Sequence, residues 1–95
     1  MEYITFMHRN TESEATAGEW NDFLSEARAS GIFRGGSAIG TRFYVGVEGA
    51  PDTTSVINGF MRFETADIKR LTDLLRKHPT VVHGGTIEIC ELPVS

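Results

Sequence analysis

His8 is the first residue of this chain whose type and position could support acid–base chemistry. It ends a run of aromatic and β-branched residues, and Arg9 follows it. An imidazole titrates near neutrality, so a histidine at the end of a strand beside a cleft can act as a general base. The sequence identifies no partner carboxylate, and a solvated strand-end histidine is the alternative. We predict His8 as the candidate catalytic residue.

A glycine-rich stretch formed by Arg34, Gly35, Gly36 and Ser37 is the candidate anion-binding segment. Glycines expose backbone N–H groups, serine adds a hydroxyl, and arginine presents a fork that matches a carboxylate. The spacing is not that of a Walker loop, so it does not predict a phosphate cradle. The alternative is a β-bulge that bends the strand, and both interpretations can hold together.

Arg62 and Glu88 fall on two predicted strands at positions that can point to the same sheet face. They are candidates for a charged pair that lines a ligand cavity, and Asn58 shares the parity of Arg62. The alternative is an ion pair inside a subunit interface, because buried charges are usually paired.

Metal and cofactor sites are not predicted. His78 and His83 have four residues between them, but no Cys-x-x-Cys motif accompanies them. We expect one to be a solvated helix-end residue and the other a solvated turn residue. Cys90 lies in the middle of a predicted strand, where a structural cysteine is generally inert. With no cofactor motif, any chemistry would be acid–base chemistry.

The elements that must position these residues follow from hydrophobic periodicity. Strands are predicted at residues 3–8, 32–39 continuing as a strand or hairpin arm through 42–47, 56–63 and 86–92. A first helix has Thr16 as its cap and an apolar stripe from Trp20 to Ala27, and Gly31 ends it. A second helix, capped by Thr65, runs to about residue 77 before Pro79. Residues 48–55 are predicted as a turn or loop.

The second helix should bury a stripe made of Ile68, Leu71, Leu74 and Leu75. The order of elements predicts an α+β domain of ferredoxin-like β-α-β-β-α-β topology, with two helices on one face of an antiparallel sheet. Two helices cover only one face, yet the strands carry apolar residues on both. We therefore predict a homodimer through the open sheet face.

Composition limits the class of protein. The 95 residues are predicted as a single domain, 1–95, with 40% hydrophobic and 23% charged residues. The net charge is -4 and the nine basic residues are scattered, which argues against nucleic acid as a partner. No apolar run is long enough to span a membrane, and the beginning does not resemble a signal peptide. A single cysteine fits a reducing cytoplasm.

Two segments, residues 31–40 (GIFRGGSAIG) and 78–93 (HPTVVHGGTIEICELP), carry a resemblance to the YCII-related domain proteins. The resemblance covers essentially the whole chain. It implies a ferredoxin-like half that dimerises into an α/β barrel, in a family of lyase-like and dehalogenase-like enzymes and of members without known activity. The first helix lacks the histidine that some members carry, and residues 57–60 (INGF) stand where related sequences have Asp-Gly-Pro-Phe.

These observations lead to three hypotheses about function. The first is a dimer with a pocket for a small organic acid and lyase-like or isomerase-like acid–base activity, in which His8, Arg34 and Ser37 supply the polar groups. The second is a binding or accessory module that uses the same pocket without turnover. The third is a purely structural dimer.

Overall fold

The computed structural model describes residues 1–49 and 54–94. The elements are, in chain order, β1 (Glu2–His8), α1 (Ala17–Ala29), β2 (Phe33–Ala38), β3 (Ile57–Glu64), α2 (Ile68–Leu75), α3 (Pro79–Val82) and β4 (Ile87–Leu92). The strands form one antiparallel sheet in the order β2-β3-β1-β4. This order is that of the ferredoxin-like fold and confirms the predicted α+β class.

The two central strands alternate strictly between the two faces of the sheet. Residues 3, 5 and 7 of β1 and residues 57, 59, 61 and 63 of β3 are buried toward the helices. The buried hydroxyl of Thr5 donates to the Met61 carbonyl at 3.0 Å, so this core position is satisfied. Phe63 and Leu71 are fully buried at the centre of the core between sheet and helices.

Helix α1 begins as the sequence predicts. Thr16 and Glu19 form a complete capping box, in which each side chain bonds the backbone N–H of the other. Phe23 and Ala27 are buried, whereas Trp20 and Leu24 are only half-buried. The stripe of the helix therefore extends from the core into a neighbouring cleft.

Two details of α2 differ from the prediction. The cap is Asp67, whose carboxylate accepts from the Lys69 N–H at 3.0 Å, while the Thr65 hydroxyl accepts from the Asp67 N–H. Ile68 is 45% exposed, because as the first helical residue it lies beyond the edge of the sheet-facing stripe. The burial of Leu71, predicted from the same stripe, is confirmed, as is that of Leu74 and Leu75.

The short helix α3 was not predicted. Pro79 was expected only to end the preceding helix, but it is the first residue of α3, where its fixed φ angle and missing N–H are favourable. His78 is the cap of this helix. A proline can end one helix and begin the next, and the sequence pattern alone does not separate the two roles.

Residues 42–47 do not form the predicted strand or hairpin arm. They belong to the β2–β3 loop, in which Arg42 donates to the carbonyls of Thr54 and Ile57, each at 2.6 Å. These bonds anchor the loop, while Phe43, Val45 and Val47 stay at least 89% exposed. Residues 50–53 of the predicted 48–55 turn lie outside the described residues. No helix of the described ranges is long and apolar enough to cross a membrane.

The helix-free side of the sheet, called the open face below, carries the even-numbered residues of the central strands. Ile4, Phe6 and Phe60 are half-buried there, although none of the helices in the described part of the chain packs on them. Register places the residues of β4 beside them, with Cys90 opposite Ile4 and Glu88 opposite Phe6. The predicted apolar character of both faces is therefore found in the structure.

Candidate functional site

A cleft of about 570 Å³ opens between α1 and the strands β2 and β3. Its walls are mainly apolar side chains and glycine backbone. Trp20, Leu24 and Arg28 line it from the helix, and Phe33 and Met61 line it from the strands. A concave, mostly apolar cleft of this size with few polar groups has the usual character of a small-molecule site.

The glycines of β2 shape one wall of the cleft. The register of β2 against β3 shifts between Phe33 and Gly35, and Gly35 adopts a φ angle of 108°. The predicted β-bulge is therefore present. At Gly36 a Cβ atom would lie 2.3 Å from the carbonyl oxygen of Phe60 and 2.9 Å from the Cα of Met61. Glycine is required there because the neighbouring backbone occupies the space of a side chain.

Arg28 is the charged side chain of the cleft. Within the described ranges its guanidinium takes part in no hydrogen bond or ion pair. Trp20, Leu24 and Arg28 are spaced i, i+4 and i+8, so they lie on one face of α1. Arg28 was not predicted as a site residue, although its i+8 spacing from Trp20 places both residues on the same face of the helix.

The structure separates the predicted anion-binding residues. Gly35, Gly36 and Ser37 line the cleft, but Arg34 does not. The Arg34 guanidinium donates to the Gly31 carbonyl at 3.0 Å and lies 3.7 Å from the Glu64 carboxylate. The Ser37 hydroxyl donates to the Ala38 carbonyl at 2.8 Å. Arg34 points away because bulged strands re-aim their side chains.

His8 lies on the open face rather than in the cleft, so the predicted grouping with Arg34 and Ser37 does not form. Its Nε2 atom is 3.0 Å from a carboxylate oxygen of Glu88, a partner that sequence reasoning did not find. The His8 side chain is 28% exposed and the Glu88 side chain 54% exposed. His8 and Glu88 therefore form a hydrogen-bonded pair on the surface of the sheet.

Arg62 and Glu88 do not pair with each other. Arg62 forms an ion pair with Glu2, whereas Glu88 contacts His8 and the thiol of Cys90. Phe6 lies opposite Glu88, while Ile4 lies opposite Arg62, so the register keeps the two charges apart. The open face thus carries two separate polar pairs, Arg62–Glu2 and His8–Glu88, around an apolar centre. Burial and the nearby Glu88 carboxylate raise the pKa of the Cys90 thiol.

His78 is fully buried, which contradicts the expected solvated position. Its ring packs against Trp20 and Phe23, with centroids 4.9 and 4.6 Å apart. Its Nδ1 atom accepts from the Thr80 N–H at 3.0 Å, and its Nε2 atom has no hydrogen-bond partner. Burial lowers the pKa of His78 from 6.5 to about 4.

His83 is also not the solvated turn residue expected, because Ser13 and Glu19 bond both of its ring nitrogens. No group of three His, Cys, Asp or Glu side chains suited to a metal ion occurs among the residues that the structure describes. His78 and His83 have different partners and surroundings.

Comparison with known proteins identifies a solved structure of similar fold. No family model and no curated protein sequence matches the chain. A solved structure of 5-chloro-2-hydroxyhydroquinone dehydrochlorinase (TftG) from Burkholderia phenoliruptrix AC1100, in complex with 2,5-dihydroxybenzoquinone, is similar with a TM-score of 0.57. The match covers 100% of this chain and 96% of that one, at 9% identity. At this identity the likeness shows a shared fold.

Proposed function

We propose that this chain is a YCII-related protein that binds a small aromatic or other planar organic acid in the cleft between α1 and the β2–β3 edge. The observation that carries the proposal is the unpaired guanidinium of Arg28 in a mostly apolar cleft. Arg28 is exposed, and its guanidinium can bind a carboxylate through charge-assisted hydrogen bonds, which are stronger than neutral ones.

The apolar walls favour a flat ligand body. Trp20 and Phe33 present aromatic surface, and Gly36 leaves its strand without a side chain, so that a planar molecule can approach the backbone. A ligand whose ring stacks on these aromatic side chains and whose carboxylate binds Arg28 is an aromatic acid. The dehydrochlorinase of similar fold was solved with 2,5-dihydroxybenzoquinone, which is also a planar ring.

Binding can be followed by the emission of Trp20, the one tryptophan of the chain. We expect benzoate and 2,5-dihydroxybenzoate to change this emission in a saturable way. Arg28→Gln should weaken their binding about 10–100-fold, which is the worth of a charge-assisted hydrogen bond. Arg34→Gln is the matched control, because Arg34 lies outside the cleft, and it should leave binding unchanged. Equal loss in both variants, or no saturable change in the wild-type protein, refutes the proposal.

The protein is proposed to act as a homodimer through its open face. Ile4, Phe6 and Phe60 form an apolar centre, flanked by the pairs Arg62–Glu2 and His8–Glu88. Two copies facing each other would cover this centre and form the α/β barrel that the YCII-related resemblance implies. A sheet with one uncovered apolar face generally has a partner there.

Sedimentation at micromolar concentration tests the dimer. We expect twice the 10.5 kDa mass of one chain. Phe6→Glu places a charge at the centre of the open face and should give a monomer, whereas Ile68→Glu on α2 should not. A wild-type monomer, or a Phe6→Glu dimer, contradicts the proposed interface.

A second candidate function is acid–base catalysis of the lyase or isomerase type by the His8–Glu88 dyad. The 3.0 Å contact between the two side chains favours it, because a carboxylate orients an imidazole for proton transfer. In the proposed dimer this dyad would face the barrel interior. The alternative is a binding module without turnover.

Proton abstraction can be measured directly. Lactones and small carboxylic acids are incubated with the protein in D₂O, and deuterium at the carbon beside the carbonyl is followed by NMR. Catalysis predicts exchange that His8→Asn abolishes and Arg34→Gln does not affect. Ligand binding in the cleft without exchange identifies the chain as a binding module.

A further inference from the structure

Ser13, His83 and Glu19 form a compact polar cluster outside both the cleft and the open face. Ser13 lies in the loop between β1 and α1, Glu19 in the first turn of α1, and His83 directly after α3. None of the three residues lines the cleft. The cluster is therefore a site separate from the proposed acid-binding site, and it can be active whether or not the cleft binds an acid.

The geometry of the cluster is that of an activated hydroxyl. The Ser13 Oγ atom is 2.7 Å from His83 Nδ1, and the Glu19 Oε2 atom is 2.6 Å from His83 Nε2. A neutral imidazole has one donor and one acceptor nitrogen. Because the ionised carboxylate of Glu19 only accepts, Nε2 carries the proton, and Nδ1 accepts from the serine hydroxyl. The hydrogen bond from His83 is the main cause that lowers the pKa of Glu19.

The surrounding backbone fixes this arrangement. The carbonyl of His83 accepts from the Glu12 N–H at 2.8 Å, which holds the Ser13 loop against the end of α3. The second oxygen of Glu19 accepts from the Thr16 N–H at 3.1 Å, so the carboxylate has a fixed orientation. A nucleophile, a base and an orienting group held in sequence are the signature of nucleophilic catalysis.

The Ser13 hydroxyl is also accessible to a substrate. Ser13 is exposed, while the side chains of His83 and Glu19 are 18% and 37% exposed, so the base is shielded and the hydroxyl is open. The backbone N–H groups of Ser13 and Glu14 make no hydrogen bond within residues 1–49 and 54–94. Both groups belong to the chain segment that carries the nucleophile, and N–H groups that reach the acyl oxygen would stabilise a developing oxyanion.

We propose that Ser13 is a nucleophile that accepts acyl groups from activated esters, with His83 as its base and Glu19 as the positioning residue. The Ser13 oxygen bonds to the acyl carbon while its proton passes to His83 Nδ1. The bond from the acyl carbon to the leaving alcohol breaks, and the alcohol takes that proton. A water molecule then attacks the acyl-serine while His83 removes one of its protons. The bond from the acyl carbon to the Ser13 oxygen breaks, His83 returns that proton to the Ser13 oxygen, and the carboxylic acid is released.

The test uses the full chain and two probes, phenylmethanesulfonyl fluoride and p-nitrophenyl acetate. Ser25, an exposed serine on α1, is the internal control in the same peptide map. General-base assistance typically gives a factor of ~10²–10⁴, so Ser13 should be modified at least ~100-fold faster than Ser25. p-Nitrophenyl acetate should release a burst of one p-nitrophenolate per chain.

Two variants test Ser13 as the nucleophile and Glu19 as the positioning residue. Ser13→Ala should abolish the burst, and Glu19→Gln should slow it at least ~10-fold and shift its pH profile, because the orienting charge is lost. Glutamine also completes a capping box, so the helix start is retained. Modification of Ser13 at the rate of Ser25 in the folded wild-type protein overturns the proposal. A Ser13→Ala variant that keeps the burst and changes only the melting temperature overturns it as well.

Discussion

Burial of His78 predicts a specific loss of stability in mild acid. The ring is fully buried between Trp20 and Phe23, and a second proton would have to occupy Nδ1, which already accepts from the Thr80 N–H. The pKa of about 4 in the folded protein lies below the ordinary 6.5 of the unfolded chain. Between these values the unfolded chain binds more protons than the folded one. The free energy of unfolding therefore falls as the pH falls from 6.5 toward 4.

The size of this effect follows from the difference in pKa. A difference of one pKa unit corresponds to about 1.4 kcal/mol. Full protonation of the His78 side chain in the unfolded chain therefore lowers the free energy of unfolding by about 3 kcal/mol. At pH 5 the loss relative to pH 7.5 should be about 2 kcal/mol. For a chain of this length that corresponds to a drop in melting temperature of roughly 8–16 °C.

His78→Asn is the matched variant. The asparagine oxygen can accept from the Thr80 N–H as Nδ1 does, so the cap of α3 is retained while the titrating group is removed. We expect this variant to be less stable than the wild-type protein at pH 7.5, because ring packing is lost, but to change little between pH 7.5 and 5.

Thermal or urea unfolding at a fixed protein concentration measures both proteins at the two pH values. The carboxylates whose pKa values are lowered, Glu19 and Asp73, stabilise the fold above their ordinary pKa values of 4.5 and 3.8 and lose this contribution only at lower pH. The titration of these two carboxylates therefore does not account for a loss of stability between pH 7.5 and 5. Equal losses in the wild-type protein and in His78→Asn between pH 7.5 and 5 would refute the assignment to His78.

Three further predictions concern packing, backbone and metal. Leu71→Ala should lower the free energy of unfolding by about 2–5 kcal/mol through a core cavity, whereas Thr72→Ala on the same helix should change it little; equal melting temperatures would contradict the assigned helix face. Gly36→Ala should be strongly destabilising, because its Cβ would lie 2.3 Å from the Phe60 carbonyl oxygen. Gly40→Ala should be tolerated, because no atom lies within 4 Å of the added Cβ. Circular dichroism melts in which Gly40→Ala is the less stable variant would disprove the close approach at Gly36. Chelator treatment should leave the melting temperature unchanged, and stoichiometric zinc in untagged protein would argue against this.

Periodicity allowed much of the fold to be predicted. The alternation of β1 and β3 and the stripe of α2 around Leu71 are local patterns, and a strand or helix repeats them whatever its neighbours are. The capping box at Thr16 and the bulge at Gly35 were also predictable, because both depend on residues within one turn or one strand. Helix α3 and the true cap of α2 were missed, since cap choice depends on how neighbouring elements pack.

The candidate sites were predicted less well. The sequence selected Gly36 and His8 but grouped them in one pocket, whereas the sheet places them on opposite sides. It could not pair His8 with Glu88, which is 80 residues away. Arg28 was overlooked because an arginine near a helix end is usually a solvated residue, and the cleft beside it exists only once α1 lies across β2 and β3.

The sequence by itself determined which faces of the strands and helices are apolar, where the chain must turn, and hence the ferredoxin-like order of elements. Tertiary structure alone decided which polar groups meet. Register placed Glu88 beside His8 and kept Arg62 away from it. Packing of α1 on α3 buried His78 and brought Ser13 and Glu19 to His83. The physical reason is that side-chain periodicity is set by local backbone geometry, whereas contacts between distant residues depend on strand register and helix packing.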